Sequence, residues 1–261
     1  MFCREYVFSK STNLEYAVSI VCYPLAYSIN CSARIEELRR MGIEEIVSFG
    51  KLIINDMNVV GKGHAAIVIL AKHRDLGIVA LKIRRMDSKR SSILHEGKLL
   101  EIASKAGIAP QVYAYTDNVI VREYIDGPTF RDFIYDNLKN TEMIKKATIS
   151  LIRACYRLDC IGIELEEISI PLTQVIVECS NPEKIFIVDF ESARRSEKPS
   201  NVTSVLGFVI GRSVFGKPFR MLIGLDNGKV ARLRELSKEY KRVSLDKKRD
   251  IVEEIIELIA S

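Results

Sequence analysis

Lys82, Glu96 and Asp189 are charged residues set into apolar segments, and their spacing suggests chemistry. Lys82 closes Val79-Ala80-Leu81-Lys82, a strand-like run in which Ala80 and Lys82 share one face and Val79, Leu81 and Ile83 the other. Just upstream, Gly61-Lys62-Gly63-His64-Ala65-Ala66-Ile67-Val68 sets two glycines between two apolar runs, and glycine lets backbone N–H groups approach an anion closely. Glu96 follows Ile93 by three residues and precedes Leu100 by four, which turns it toward the apolar stripe of a helix. A carboxylate there needs a cation; Lys82 is the natural partner, and Glu101, on a different face, is the competing choice. Asp189 ends Ile185-Phe186-Ile187-Val188-Asp189, a position from which a carboxylate can reach a metal ion at the mouth of a cleft. A glycine turn, a small residue beside an ammonium, and a distant strand-end carboxylate together suit a nucleoside triphosphate held by its phosphates and its metal. Gly61, Lys62, Gly63, Val68, Ala80, Lys82 and Glu96 are then the nucleotide-side candidates, with Val68 against the base and Asp189 at the metal.

The elements that must position these groups change character along the chain. Phe2–Phe8 fits a strand, Leu14–Cys22 fits either element, and Ala33–Met41 reads as a short helix stopped by Gly42. Strands follow at Leu52–Val60, Ala66–Ala71 and Ile78–Ile83, then a helix from Ser88 to Ala106 that Gly107 ends. Gln111–Tyr115 and Val119–Tyr124 flank the Asp117-Asn118 turn, and Ile125-Asp126-Gly127-Pro128 is the clearest break. Beyond it Thr129 and Asp132 mark a helix start, Glu142–Cys160 a longer helix, Val175–Cys179 and Ile185–Phe190 two strands, and Leu245–Ile259 a final helix. The expected class is α+β. Residues 1–50 form an N-terminal extension with a short helix, 51–124 an antiparallel sheet, 125–128 a hinge, and 129–261 a mainly helical part.

Composition narrows the alternatives. Hydrophobic residues make up 48% and charged residues 28%, ordinary for a globular protein. The longest apolar candidate, Tyr16–Tyr27, is short and broken by Pro24, so a cytoplasmic protein without a membrane partner is expected. The six cysteines form no Cys-x-x-Cys pair, and the three histidines are scattered, which argues against a Cys/His metal site and for buried free thiols.

Val79-Ala80-Leu81-Lys82 resembles the Val-Ala-Ile-Lys of protein kinases, and Asp189-Phe190-Glu191 resembles their Asp-Phe-Gly, with glutamate for glycine. Ala66 stands where kinases often carry a third glycine, and Val119–Gly127 is similar to the strand and linker that join kinase lobes. The resemblance spans residues 52–191. It is nearest to small atypical archaeal kinases related to the RIO group, and within these to the archaeal RNA kinases formerly described as predicted serine/threonine protein kinases. It implies a two-lobed protein-kinase-like fold with an antiparallel-sheet N-lobe and a small, mainly helical C-lobe. It further implies ATP and Mg2+, with adenine held by the backbone at Glu123 and Tyr124. Aligning the catalytic loop puts Glu167 at the acidic position that orients the acceptor hydroxyl, with Glu164 and Glu166 as rivals. Leu165 then replaces the histidine and Leu172 the asparagine of that loop. Gln174 becomes the nearest polar substitute as a metal ligand, with Mg2+ held by Asp189 and assisted by Glu191. Loss of the asparagine is the feature that supports the alternative of another class, a pseudokinase acting as a nucleotide- or RNA-binding module.

Charge is uneven. From Ser192 to Arg249 there are 15 Lys and Arg against 5 Asp and Glu, a local +10 in a chain whose net charge is +5. Arg194, Arg195, Lys198, Arg212, Lys217 and Arg220 lead away from Asp189, and such a run suits the phosphates of an RNA. Few aromatic residues interleave with it, which favours structured RNA over base stacking. With the resemblance, the preferred acceptor is a tRNA 2′-hydroxyl; a protein serine or threonine is the alternative.

Overall fold

The computed structural model describes residues 10–25, 30–179 and 181–261. Phe2–Phe8 lies outside them. The fold is mixed, with an antiparallel sheet and helices, and it divides into two compact units that part between Tyr124 and Ile125. The first unit runs to Glu101 and adds Pro110–Tyr124; the second holds Ile102–Ala109 and Ile125–Ser261.

The sheet unit contains β1 (Lys10–Asn13), α1 (Val18–Val21), α2 (Cys31–Arg40), β2 (Ile43–Ser48), β3 (Leu52–Ile54), β4 (Met57–Val59), β5 (Gly61–Lys62), β6 (Ala66–His73), β7 (Gly77–Arg84), the part of α3 (Leu94–Lys105) up to Glu101, β8 (Val112–Tyr115) and β9 (Val119–Glu123). Its large sheet runs β1-β2-β6-β7-β9-β8, with β5 pairing the start of β6. Period-two burial gives the sheet two faces. Ile67, Ile69, Val79, Leu81, Ile83, Val119 and Val121 pack with Ile20, Val21 and Leu38 of α1 and α2. Val47, Leu70 and Ala80 point the other way, toward Phe49 and Tyr124, whose rings meet edge-on at 5.6 Å.

Two sequence expectations for this unit change. Residues 10–13 and 43–48 are sheet strands, so the segment expected as an extension is built into the sheet. Leu52–Val60 is a separate hairpin, β3–β4, turned by Asn55 and Asp56 with φ of 46° and 62°, a left-handed conformation those two residue types tolerate.

The expectation of free thiols is also corrected. Cys22, at the end of α1, and Cys31, the first residue of α2, form a disulfide with Cα atoms 5.7 Å apart, and Cys179 is disulfide-bonded as well. Cys155 and Cys160 are thiols. The 22–31 pairing depends on where two short helices end and begin, which spacing alone does not encode. Closing a loop of this length stabilises the fold by about 2–3 kcal/mol through the unfolded chain. Cys22→Ser with Cys31→Ser should therefore lower the melting temperature by about 5–10 °C in non-reducing buffer. A reductant should narrow that gap.

The second unit holds α4 (Phe130–Asp136), α5 (Thr141–Cys160), β10 (Ile163–Leu165), β11 (Val175–Val177), β12 (Ile185–Ile187), β13 (Ala193–Arg195), α6 (Asn201–Gly211), β14 (Ser213–Val214), β15 (Lys217–Pro218), α7 (Phe219–Leu222), α8 (Asn227–Tyr240) and α9 (Leu245–Ala260). Its buried polar centre is Asp159. One carboxylate oxygen accepts from the Asn201 backbone N–H (2.9 Å) and carboxamide (2.7 Å), the other from the Tyr240 hydroxyl (2.7 Å). Asn201 passes the connection on to the backbone of Ile163 and Leu165, fixing the strand that leads into the Glu166–Ser169 turn.

Burial holds the Asp159 carboxyl above the ordinary aspartate range, against the opposing pull of Tyr240 and of the N–H groups at Asn201 and Val202. A carboxyl with a raised folded-state pKa contributes most stability when protonated, and loses it as pH rises from the unfolded value through the folded one. Wild type is therefore expected to lose stability relative to Asp159→Asn as pH climbs from 4 toward neutral, read as the difference in urea midpoint at each pH.

Candidate functional site

In the sheet unit the nucleotide-side candidates line up across neighbouring strands. Gly61 stands opposite Val68, Val68 opposite Lys82, and Lys82 opposite Ile120, so a single cross-strand row joins the glycine turn to the lysine. Ala80 shares that face two residues along. Glu96 arrives from the first turn of α3: Lys82 Nζ donates to its Oε1 at 2.6 Å, and both side chains are buried, at 9% and 4% exposure. Glu101, the competing choice, instead accepts from the Tyr115 hydroxyl at 2.8 Å.

The glycine turn is a short hairpin closed by the Gly63 N–H donating to the Ala66 carbonyl at 2.8 Å. Arg85, which the sequence reading missed, clamps it. Its Nη1 donates to the Gly63 carbonyl (3.1 Å), its backbone N–H to the Ala65 carbonyl (2.8 Å), and Asp87 holds the rest of the guanidinium. The Asp87 contact raises the Arg85 pKa and lowers that of Asp87. Neither glycine is demanded by the chain's own packing. A Cβ on Gly61 would meet only the Val68 Cβ at 4.0 Å, and one on Gly63 the Ala66 carbonyl oxygen at 3.4 Å. Lys62, expected at phosphates, holds its ammonium over the Tyr23 ring, 5.1 Å from the centroid.

Arg122 was also missed. It is 5% exposed and stands directly opposite Ala80, so the Lys82 face carries a second buried cation. The signal was a lone arginine in Val119-Ile120-Val121-Arg122. Glu123 ends the same strand and is committed to the sheet. Its N–H donates to the Gln111 carbonyl (2.8 Å), and its side chain accepts from the Gln111 N–H (3.0 Å). Tyr124 packs on Phe49.

The second unit gathers the remaining candidates around Gln174. Its backbone carbonyl accepts the Val188 N–H at 2.8 Å, one residue before Asp189. Its side-chain Nε2 donates to the Glu167 carbonyl at 2.5 Å. Asp189, Glu167 and Gln174 are thereby tied into one loop cluster. Gln174 is 7% exposed, and its carboxamide nitrogen braces the Glu166–Ser169 turn, which corrects the expectation of a solvated strand start. Asp189 is half-buried where β12 has ended, and its Oδ1 accepts the Glu191 N–H at 3.1 Å. Glu166 and Glu167 are exposed on their turn, whereas Glu164 pairs with Arg194 across β10–β13 at 2.8 Å. Leu165 is buried in β10. Among the described residues no three His, Cys, Asp or Glu side chains come together as a metal site.

The expected hinge is an ordered part of this unit. The Val177 N–H donates to Pro128 and the Cys179 N–H to Asp126, and a Cβ on Gly127 would strike the Val177 carbonyl oxygen at 2.0 Å, so glycine is required by this close approach.

The basic run separates into neutralised and available charges. Arg194 is ion-paired with Glu164, and Arg195 donates to the Ile161 carbonyl at 2.8 Å. Lys198 lines a polar cavity of about 710 Å³ between the starts of α6 and α9. Arg212 and Lys217 are exposed and Arg220 half-buried, and none of the three has an ion pair among the described residues. No helix of the described residues is long and apolar enough to cross a membrane.

No family model matches the chain. It is similar to an uncharacterized protein of Methanocaldococcus jannaschii, 25% identical over 121 residues, which is 46% of this chain and 99% of that protein.

Proposed function

We propose that this chain is an atypical kinase with a two-lobed protein-kinase-like fold, which transfers the γ-phosphate of ATP to a hydroxyl group, with RNA as the preferred acceptor. The observation that carries the reading is the buried Lys82–Glu96 pair, set in one row with Val68 and a glycine turn. Burying an ion pair rarely adds stability over an apolar pair of the same size, so its presence asks for another purpose. An ammonium fixed to receive phosphate oxygens is such a purpose. The two glycines point the same way: the chain's packing leaves room at both, and close approach of backbone amides to a phosphate is what room there permits.

ATP fits this face through Gly61, Gly63, Val68, Ala80 and Lys82. Magnesium in nucleotide sites is commonly held by one or two carboxylates together with the phosphates, and Asp189 with Glu191 supplies that donor set. When bound, the ion neutralises charge on the phosphates. Lys82, steadied by Glu96, would bind the phosphate oxygens, and Glu167 would orient the acceptor hydroxyl by accepting its hydrogen bond. Gln174 would act by holding the Glu167 turn against the Asp189 strand. Arg212, Lys217 and Arg220 favour a polyanionic acceptor, and the family resemblance makes the tRNA 2′-hydroxyl the first candidate.

The second reading is a binding module without transferase activity, favoured by Leu165 and Leu172 where the family's loop carries histidine and asparagine. Incubation with γ-labelled ATP, Mg2+ and either bulk tRNA or a generic protein substrate separates the readings. Label on tRNA is the expected result; label on protein alone would move the acceptor to serine or threonine. No transfer despite ATP binding would leave the binding module.

A further inference from the structure

The sequence suggested no stacking surface among the basic residues, yet folding brings two partly exposed aromatic rings together beside them. Phe215 sits at the tip of the β14–β15 hairpin with φ of 51°, followed by Gly216 at 75°. Left-handed backbone is natural for Gly216 and strained for a bulky aromatic residue. The position leaves the ring open to solvent in part: Phe215 is 39% exposed. It meets Tyr135, itself 62% exposed, at 5.3 Å between centroids and 62° between planes. The Arg131 guanidinium lies over the Phe215 ring, 5.8 Å from its centroid, and Arg131 and Tyr135 are one turn apart on α4, so they present together. Arg212 and Lys217 flank the same hairpin, and Arg220 follows on α7.

An exposed aromatic pair, an arginine over a ring and three cations without ion pairs among the described residues match the surface that holds an unpaired nucleotide. The base stacks on the rings while the backbone phosphates meet the cations. An apolar protein partner would not call for cations around the rings, and charge complementarity selects a nucleic-acid strand. We propose that Phe215 and Tyr135 form a stacking site for an unpaired nucleobase of the RNA, with Arg131 beside them and Arg212 and Lys217 on its phosphates. The inference rests on the RNA-acceptor reading and gives the RNA a specific docking point in the second unit.

The test uses the full chain and a short single-stranded RNA carrying 2-aminopurine, without ATP. Wild type should bind it and quench its fluorescence. Phe215→Gly, which places at φ 51° the residue best suited to it, should weaken binding about tenfold and relieve the quenching, with the salt slope unchanged. Tyr135→Ala should act in the same direction. Arg212→Ala with Lys217→Ala should instead flatten the salt slope by roughly 1–1.5. Wild-type binding in Phe215→Gly and Tyr135→Ala, or no RNA binding by wild type, would overturn the stacking site. So would binding that polyglutamate displaces as readily as RNA does, the mark of a protein-type partner. Phe215-dependent RNA binding without phosphate transfer would leave the stacking site standing and sink only the transferase reading.

Discussion

Asp189→Asn is expected to lower phosphate transfer from ATP by about 1,000-fold or more while leaving the melting temperature within a few degrees of wild type. The substitution separates two roles of one side chain. Structurally, Oδ1 of Asp189 accepts the Glu191 N–H at 3.1 Å and so shapes the turn leaving β12. An asparagine oxygen accepts the same bond, so the turn survives. Chemically, the carboxylate charge is what a magnesium ion requires, and asparagine lacks it. Single-turnover transfer from labelled ATP, beside a thermal melt, reads both roles. A full transfer rate in Asp189→Asn would place the metal elsewhere.

Lys82→Met is expected to cost about 3–5 kcal/mol of stability, about 10 °C of melting temperature, and to abolish transfer. Glu96 is 4% exposed and its carboxylate is held by Lys82 Nζ at 2.6 Å, so removing the ammonium takes away the charge that made its burial tolerable. Lys82→Met with Glu96→Leu removes both charges and should recover most of the stability, since an apolar pair of similar volume replaces a buried ion pair at little cost. Transfer should not recover. A purely structural pair would give back everything in the double variant, so the split between stability and activity is the informative result. Recovery of both would reduce the pair to packing.

What the sequence made legible follows from periodicity. Strand alternation placed Ala80 and Lys82 on one face, and the three-and-four spacing of Glu96 from Ile93 and Leu100 turned it toward Lys82; both relations hold in the fold. The break at Ile125 coincides with the boundary between the compact units. Other features depend on partners far apart in sequence. Residues 10–13 and 43–48 look unremarkable alone and become strands only because β6 offers an edge to residues 43–48, which in turn offer one to residues 10–13. Gln174 reads as a solvated strand start until the Glu167 carbonyl is seen above its carboxamide. Tyr135 and Phe215 are 80 residues apart, too distant for any local pattern to unite them. Asn55-Asp56 did carry a turn signal, which the apolar residues on either side concealed.

The proposed kinase activity requires nucleotide binding at Lys82 and magnesium binding at Asp189. Calorimetric titration of ATP, with and without Mg2+, tests this requirement on three proteins: wild type, Asp189→Asn, and Lys82→Met with Glu96→Leu. Wild type should bind Mg·ATP more tightly than metal-free ATP. Asp189→Asn should lose that difference, and the double variant should bind both forms at least roughly tenfold more weakly. Wild type that binds no nucleotide, or two variants that titrate like wild type, would contradict the account.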